Sequence, residues 1–296
     1  MTKPVLPEGV GVTALVTTYA RAQESRSEEP LFVDPAAEFF IAEATQTHVK
    51  EGENLPRLGP ARDDGTSALW EDIHGYFANR TPFYDRYLTE RVAAGYRQIV
   101  ILGAGLDTRA FRLALPADVK IYEIDTAPVL DFKEATLSRH GFVCAGTRVP
   151  VRADLRDDWS ASLRAAGFAP GQPTAWLAEG LIMYFTPTEA DGLLSTISVM
   201  SAPKSSLAGE FLNRRYRVTD SPVSDTNDHA VAQVFAAADR GGPTEDPEAW
   251  LERHGWLGQQ RDFVEEVEEL GRPLPWLFDS HRPDPLQLWL FTATLT

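Results

Sequence analysis

Residues 97–109, with the sequence RQIVILGAGLDTR, combine an apolar run with a glycine turn. The run 99–102 ends in Gly-Ala-Gly at 103–105, and the charged residues Asp107 and Arg109 follow directly. A short, continuous apolar run that stops at glycine is typical of a fully buried strand. A strand that ends in such a turn and continues into a helix lets a ligand approach the backbone closely. The pattern therefore predicts a ligand site, without indicating which ligand.

The composition limits the classes of protein to which the chain can belong. Its 296 residues are 43% hydrophobic and 24% charged, which is typical of a globular protein that can bury a sizeable core. The formal net charge of −15 would repel a phosphate backbone, so we expect no nucleic-acid partner. Cys144 is the one cysteine, which excludes an internal disulfide and a multi-thiolate metal site. We expect no bound metal.

The N-terminal sequence, MTKPVLPEGVGVTALV, carries one lysine and no long apolar core, unlike a secretory signal. No stretch approaches the roughly 18 apolar residues of a membrane span. These features predict a cytoplasmic protein that acts on a small molecule and does not associate with membranes. The sequence leaves the oligomeric state open.

From residue 97 onward, predicted strands alternate with predicted helices. The strands are expected over 97–102, 119–124, 147–153, 174–180, 205–212 and 286–295, and the helices near 126–139, 158–166 and 187–200. The last helix opens with Thr186, Pro187 and Glu189 at the positions of a capping box. The alternation predicts a Rossmann-like, doubly wound, mostly parallel α/β sheet. We expect an antiparallel C-terminal strand and an N-terminal helical cap.

One Rossmann-like domain with an N-terminal helical cap is expected from this order. Residues 1–95 would form the helical cap or lid, with a helix over 13–25, a Gly- and Pro-rich loop over 51–66 and a helix that starts at Thr81-Pro82 and ends near Ala94. Residues 96–296 would form the Rossmann-like domain. Its polar, turn-rich insertion near 213–247 is expected to shape a substrate pocket.

Acidic residues at the ends of successive strands bear on the choice of ligand. The glycine pattern of a nicotinamide site is incomplete, because Thr108 stands in the third glycine position. Asp125 lies 22 positions after Gly103, close to the spacing at which an acid meets a ribose. Asp154 and Glu179 follow the next two strands. This set suits S-adenosylmethionine, although each acid alone could be a helix N-cap or a surface carboxylate, and an oxidoreductase or a non-catalytic binding protein remains an alternative.

Six blocks in order resemble the leucine carboxyl methyltransferase family, in particular its bacterial, actinomycete-type branch of S-adenosylmethionine-dependent enzymes. The blocks are TALVTTYARAQESRSEEPLFVDPAA, NRTPFYD, RQIVILGAGLDTRAFRL, YEIDTAPVLDFK, ADLRDDW and AWLAEGLIMYFTP. Together they cover roughly residues 13–212, whereas the C-terminal third is similar only in outline. The resemblance implies a Rossmann-like methyltransferase whose cofactor is S-adenosylmethionine.

The resemblance also implies roles for nine cofactor-binding residues. Arg80 would pair with the methionine carboxylate of the cofactor through its planar guanidinium, and Arg21 would lie near the same carboxylate. Gly103, Ala104 and Gly105 would form the turn, Asp125 would meet the ribose, Asp154 and Leu155 the adenine, and Glu179 the amino-acid part. We expect Arg109 to brace the turn through a salt bridge to Asp107 or Glu123.

The resemblance favours an oxygen as the methyl acceptor, first of all a carboxylate of a polyketide-like or other secondary metabolite. A carboxylate is ionised at neutral pH and needs no general base, whereas a phenol would benefit from one. The catalytic residue stays unassigned, with His229, His281 and Tyr184 as candidates and His74 as a further histidine.

Candidates for the substrate pocket rest on family position and aromatic character alone. They are Tyr19, Phe83, Tyr84, Tyr184, Phe211 and Trp276. Aromatic residues at such positions can equally be part of the hydrophobic core, and a lone histidine is commonly structural.

Overall fold

The computed structural model describes residues 10–51, 57–62 and 64–296. Within these residues the helices are α1 (Val10–Ser25), α2 (Ala37–Glu51), α3 (Ala68–Ala93), α4 (Arg109–Arg112), α5 (Ala127–Arg139), α6 (Trp159–Ala165), α7 (Pro187–Val199), α8 (Thr226–Ala238), α9 (Pro247–Arg253) and α10 (Phe263–Glu269). The strands are β1 (Gln98–Leu102), β2 (Lys120–Asp125), β3 (Thr147–Arg152), β4 (Thr174–Ala178), β5 (Ser206–Leu212), β6 (Trp256–Asp262) and β7 (Leu288–Leu295).

The seven strands form one sheet in the order β3-β2-β1-β4-β5-β7-β6. The five strands β1 to β5 pair in parallel, and β7 is antiparallel to both of its neighbours, β5 and β6. This arrangement confirms the predicted mostly parallel α/β sheet with an antiparallel C-terminal strand. The chain leaves β1 toward β2 on one side and later returns to β4 on the other. Ligands of such sheets bind beyond the carboxyl ends of the strands at this reversal.

All six predicted strands are present, with ends that differ by a few residues. The strand β6, whose sequence is WLGQQRD, was not predicted. It lies at the edge of the sheet, pairs only with β7, and has side chains that are mostly exposed or half-buried. An edge strand of this kind carries no apolar run that a sequence pattern could detect.

The predicted start of the third helix is wrong. The helix α3 begins at Ala68 instead of Thr81, its N-cap is Ser67, and Pro82 lies inside it. The Ser67 hydroxyl accepts a hydrogen bond from the backbone N–H of Trp70 at 3.3 Å. A Thr-Pro pair often marks a helix start, but a proline inside a long helix leaves the same signal in the sequence.

The helices that precede the sheet pack over the carboxyl end of β1. Helix α1 contacts α2 and α3, and a Cβ atom added at Gly105 would lie 3.3 Å from the Cβ of Ala14 in α1. Arg21 of α1 donates a hydrogen bond to the backbone carbonyl of Leu106 at 2.6 Å. Of the predicted loop 51–66, residue 51 ends α2, residues 57–62 and 64–66 are irregular, and 52–56 and 63 lie outside the described residues. The predicted turn-rich stretch 213–247 contains the helix α8.

Hydrophobic side chains pack on both faces of the sheet. In β1, Val100 and Leu102 join the core on one face, and Ile99 and Ile101 join the core on the other. This explains why the strand reads as a continuous apolar run. Among the helices that the structure describes, none is both long enough and apolar enough to cross a membrane.

The capping box predicted for α7 is confirmed and gives a stability test. The Thr186 hydroxyl accepts from the N–H of Glu189 (3.3 Å), and the Glu189 carboxylate accepts from the N–H of Thr186 (2.8 Å). We expect Thr186→Ala to lower the free energy of unfolding by about 1 kcal/mol, because it leaves helix N–H groups without a partner. Urea denaturation measures this change. Thr188→Ala, at an exposed position in the same turn, is the control and should change it by less than about 0.5 kcal/mol. Equal effects of the two variants would contradict the role of the cap.

Candidate functional site

A cavity of about 630 Å³ lies beyond the carboxyl ends of the parallel strands. Its size falls within the roughly 300–1,000 Å³ of small-molecule sites. Helices α1 and α3 close one side, and the segments that follow β1, β2, β3 and β4 form the other. The nine residues expected to bind the cofactor all line it: Arg21, Arg80, Gly103, Ala104, Gly105, Asp125, Asp154, Leu155 and Glu179.

The glycines of the turn meet both conformational and packing requirements. Gly103 and Gly105 have φ angles of 58° and 47°, in the left-handed region that favours glycine. A Cβ atom at Gly103 would lie 2.7 Å from the Cδ1 atom of Leu181, too close for a normal contact. Neighbouring side chains therefore already occupy the space that a larger residue would need. Two N–H groups of the turn are bonded within the protein, that of Ala104 to the carbonyl of Ile124 (2.9 Å) and that of Gly105 to the carboxylate of Asp125 (2.7 Å).

Asp125 ends β2 and is fixed by the turn after β1. One carboxylate oxygen accepts the N–H of Gly105 and the other the N–H of Thr126, both at 2.7 Å. Burial raises the pKa of Asp125, and these backbone donors oppose the shift. Oδ1 also accepts from the Thr126 hydroxyl at 3.4 Å, whereas Oδ2 keeps a second lone pair and can still accept a hydrogen bond from a hydroxyl group.

Asp154 lies on the cavity wall in the segment after β3. It forms an ion pair with Arg156 in which Nη2 is 2.6 Å from Oδ2 and Nε is 2.9 Å from Oδ1. Hydrogen bonding to Arg156 lowers the pKa of Asp154. Its side chain remains 30% exposed, so Asp154 and the adjacent Leu155 lie at a solvent-accessible part of the cavity.

The guanidinium of Arg80 is buried between two glutamates. Its Nε donates to Glu179 at 3.1 Å, and its Nη1 donates to Glu210 and, at 2.7 Å, to the hydroxyl of Tyr76. Its Nη2 has no hydrogen-bond partner among the described residues and lies against Gly180, where an added Cβ atom would be 2.9 Å away. Of the five N–H donors of the side chain, only the two on Nη2 therefore remain for a ligand.

Arg109 braces the turn as expected. It pairs with Asp107, with Asp85 of α3 at 2.7 Å and with Glu179 at 2.6 Å. The other predicted partner, Glu123, instead pairs with Lys133 and Arg148. Glu179 thus joins Arg80 and Arg109, which come from different elements.

Arg21 lines the cavity but is itself held in place. Its Nε lies 2.9 Å from Asp34, and its Nη2 donates to Thr18 as well as to the carbonyl of Leu106. These contacts fix α1 to the turn after β1.

One face of α3 forms a long wall of the cavity. The residues share helical spacing and are Leu69, Asp72, Ile73, Tyr76, Phe77 and Arg80. The lining also includes Met183, Tyr184, Leu212, Tyr216, Phe235 and Asp239. This end of the cavity is mostly apolar, with tyrosines and two aspartates. The sequence analysis starts this helix at Thr81 and therefore does not predict the α3 wall. Of the wall residues it names only Arg80, on the family resemblance.

The two aspartates at the apolar end are held by backbone donors. Asp72 accepts from the N–H groups of Trp276 (2.7 Å) and Leu277 (3.0 Å), and burial raises its pKa to about 6. Asp239 accepts from the N–H groups of Tyr216 and Gly241, and burial raises its pKa as well.

Five of the six aromatic pocket candidates lie away from the cavity wall. Tyr184 lines it, whereas Phe83, Tyr84 and Phe211 are buried in the protein core. Tyr19 packs edge-to-face on Trp70, and Trp276 is 44% exposed and stacks with Arg282. Aromatic character alone does not distinguish a pocket from a core, and these five side chains do not line the cavity.

The candidate histidines also lie elsewhere. The His74 ring is hydrogen-bonded to Glu24 at 2.9 Å, and His229 belongs to a separate shallow depression with residues 223–226. The His281 side chain is 93% exposed and pairs with Asp279. No histidine among the described residues lines the cavity.

Comparisons with known proteins agree with the geometry of the site. The family model of leucine carboxyl methyltransferase matches residues 14–198. The chain belongs to the leucine carboxyl methyltransferase family. A candidate S-adenosyl-L-methionine-dependent methyltransferase of Parafrankia sp. is 40% identical over 267 residues, which cover 90% of this chain and 83% of the relative. One of Mycolicibacterium smegmatis is 40% identical over 283 residues, with 90% and 87% coverage.

Among solved structures, a candidate methyltransferase of Thermobifida fusca covers 96% of this chain and 94% of its own. The two sequences are 17% identical, and the TM-score of the two structures is 0.48. Because it belongs to this family, the chain is an S-adenosylmethionine-dependent methyltransferase.

The residues of the cavity fit this cofactor. A carboxylate with a free lone pair on Oδ2 at the end of β2 suits a ribose hydroxyl, and the unengaged Nη2 of Arg80 suits a carboxylate. Both side chains line one cavity and are fixed before any ligand binds.

We expect Asp125→Ala to weaken S-adenosylhomocysteine binding roughly 10- to 100-fold, because ribose hydroxyls lose a charged acceptor in a buried site. Isothermal titration calorimetry measures the affinity. Asp118→Ala is the control, since this exposed aspartate pairs with Arg97 before the start of β2. Unchanged affinity in Asp125→Ala would contradict the ribose role.

Proposed function

We propose that the protein transfers the methyl group of S-adenosylmethionine to a carboxylate oxygen of a small apolar acid, such as a polyketide-like or other secondary metabolite. The acceptor would bind between α3 and α8, where the cavity is mostly apolar. The proposal rests on one observation: no histidine among the described residues lines the cavity. A carboxylate is already anionic at neutral pH, so its methylation needs no proton acceptor.

The side chains would divide the work between binding and orientation. Bound S-adenosylmethionine supplies an electrophilic methyl group on its sulfonium. Arg80 would hold the methionine carboxylate through Nη2, Asp125 the ribose, and Asp154 with Leu155 the adenine. An in-line displacement depends mainly on holding the two reacting atoms at near-attack distance, which a preformed cavity favours.

Tyr184 would act on the acceptor as a hydrogen-bond donor. It lines the cavity, and burial raises its pKa, so the phenol stays protonated at neutral pH. A protonated phenol can orient an acceptor oxygen but cannot remove a proton from it. The charges of Asp72 and Asp239 are partly compensated by two backbone N–H groups each, which reduces their repulsion of an anionic acceptor.

A hydroxyl acceptor with Asp72 as the general base is a second candidate function. It is favoured by the position of Asp72 on the wall and by its pKa of about 6. Both oxygens of Asp72 are engaged by backbone donors, which fits a structural role better. A histidine base for a phenol has no candidate on the wall among the described residues.

The type of acceptor can be tested with methyl-labelled S-adenosylmethionine and matched pairs of apolar carboxylic acids and phenols. We expect label in the acids, in a product that releases labelled methanol on mild alkaline treatment, because esters hydrolyse under conditions that leave aryl methyl ethers intact. Label that resists alkali and appears with the phenols would contradict a carboxylate acceptor.

The pH dependence of single-turnover rates tests the second candidate. With a carboxylate acceptor the rate should be nearly flat from about pH 6 to 9. A base at Asp72 must be deprotonated to act, so the rate would instead rise with pH through about 6. In that case Asp72→Asn would lose roughly 10²- to 10⁴-fold in rate. Glu71→Gln, at the exposed neighbouring position, is the control.

A further inference from the structure

Glu210 is a fully buried acid in the middle of the strand β5, whose sequence is SLAGEFL. It accepts hydrogen bonds from Arg80 Nη1, the Tyr84 hydroxyl (2.7 Å), the Tyr76 hydroxyl (3.1 Å) and the N–H of Gly180 (3.1 Å). It does not line the cavity, and no role has been assigned to it above. Four donors on one carboxylate make it the most heavily bonded acid beside the site.

The charge of Glu210 is matched to that of Arg80. Burial raises the pKa of Glu210, and the neighbouring Arg80 guanidinium opposes that shift only in part. Burial likewise disfavours the charge of Arg80, but Glu210, Tyr76, Glu179 and Tyr84 together outweigh this effect, and the pKa of Arg80 is raised overall. Removing one partner of a buried pair leaves an uncompensated charge, so the two side chains stabilise each other's ionised form.

The contacts with Glu210 also fix the direction in which Arg80 points. Glu179 holds Nε, while Glu210 and Tyr76 hold Nη1. The planar guanidinium can then present only Nη2, which lies against Gly180 on the cavity wall. Without Glu210, only the Tyr76 hydroxyl would hold Nη1, so the orientation of the guanidinium would be less restricted.

We propose that Glu210 is a positioning residue for cofactor binding. It holds the Arg80 guanidinium in the orientation in which Nη2 receives the carboxylate of the cofactor's amino-acid part. This inference rests on the role proposed for Arg80. It differs from a role in folding alone, because it concerns one functional group of the ligand.

The test compares two ligands that differ only in that group: S-adenosylhomocysteine and its decarboxylated analogue, which keeps the amine. In the wild-type protein we expect S-adenosylhomocysteine to bind roughly 10- to 100-fold more tightly, the value of hydrogen bonds to a charged group. In Glu210→Gln we expect a loss of about tenfold for S-adenosylhomocysteine and no change for the analogue. Calorimetry gives both affinities and hence their ratio.

Two further variants keep the test decisive. Glu266→Gln makes the same change at another buried, ion-paired glutamate, which contacts Arg86 and Arg261 and does not line the cavity, and should leave both affinities unchanged. Tyr84→Phe removes one donor to Glu210 without altering charge. Tyr84→Phe should also lower the ratio of the affinity for S-adenosylhomocysteine to that for the analogue. If Glu210→Gln does not fold, Tyr84→Phe takes its place as the test.

Each outcome distinguishes the inference from the function on which it rests. An affinity ratio in Glu210→Gln equal to that of the wild type would overturn the positioning role while leaving Arg80 in place. Equal losses for both ligands would overturn it in favour of a role in folding. A wild-type protein that binds the two ligands equally would contradict the role of Arg80 and, with it, that of Glu210.

Discussion

Glu179 accepts hydrogen bonds from two buried arginines, and this contact ties together the elements that surround the cavity. Arg80 comes from α3, Arg109 follows the glycine turn after β1, and Glu179 itself follows β4. Glu210 extends the network into β5. Buried charges are tolerated only when each is paired and hydrogen-bonded, so the positions of these elements depend on one another. The ligand site is therefore built before a ligand arrives, and Nη2 of Arg80, which has no hydrogen-bond partner among the described residues, has a fixed direction.

The parts of the site that lie at the ends of parallel strands could be predicted from the sequence. Asp125, Asp154 and Glu179 follow three different strands, and all of them line the same cavity. The physical reason is that parallel strands end at one edge of the sheet, which brings their following residues together whatever the loops between them do. The continuous apolar run of β1 and the capping box of α7 are local signals and predicted their elements for the same reason.

The features that the sequence does not predict depend on which face of a helix or strand a side chain occupies. The sequence does not predict the cavity-lining face of α3, because Thr81-Pro82 has the pattern of a helix start, although Leu69, Ile73 and Tyr76 have helical spacing. Alternation along β5 places Phe211 in the core on one side of the sheet, and Glu210 and Leu212 on the other. The sequence shows this alternation, but it does not show which side of the sheet faces the ligand site.

The most direct test of the account is a crystal structure of the protein with S-adenosylhomocysteine bound. The account predicts the carboxylate of the ligand within hydrogen-bond distance of Arg80 Nη2, the ribose hydroxyls on Asp125, and Arg80 still paired with Glu179 and Glu210. A ligand whose amino-acid part points away from Arg80, or an Arg80 side chain that leaves Glu210 to reach the ligand, would contradict it.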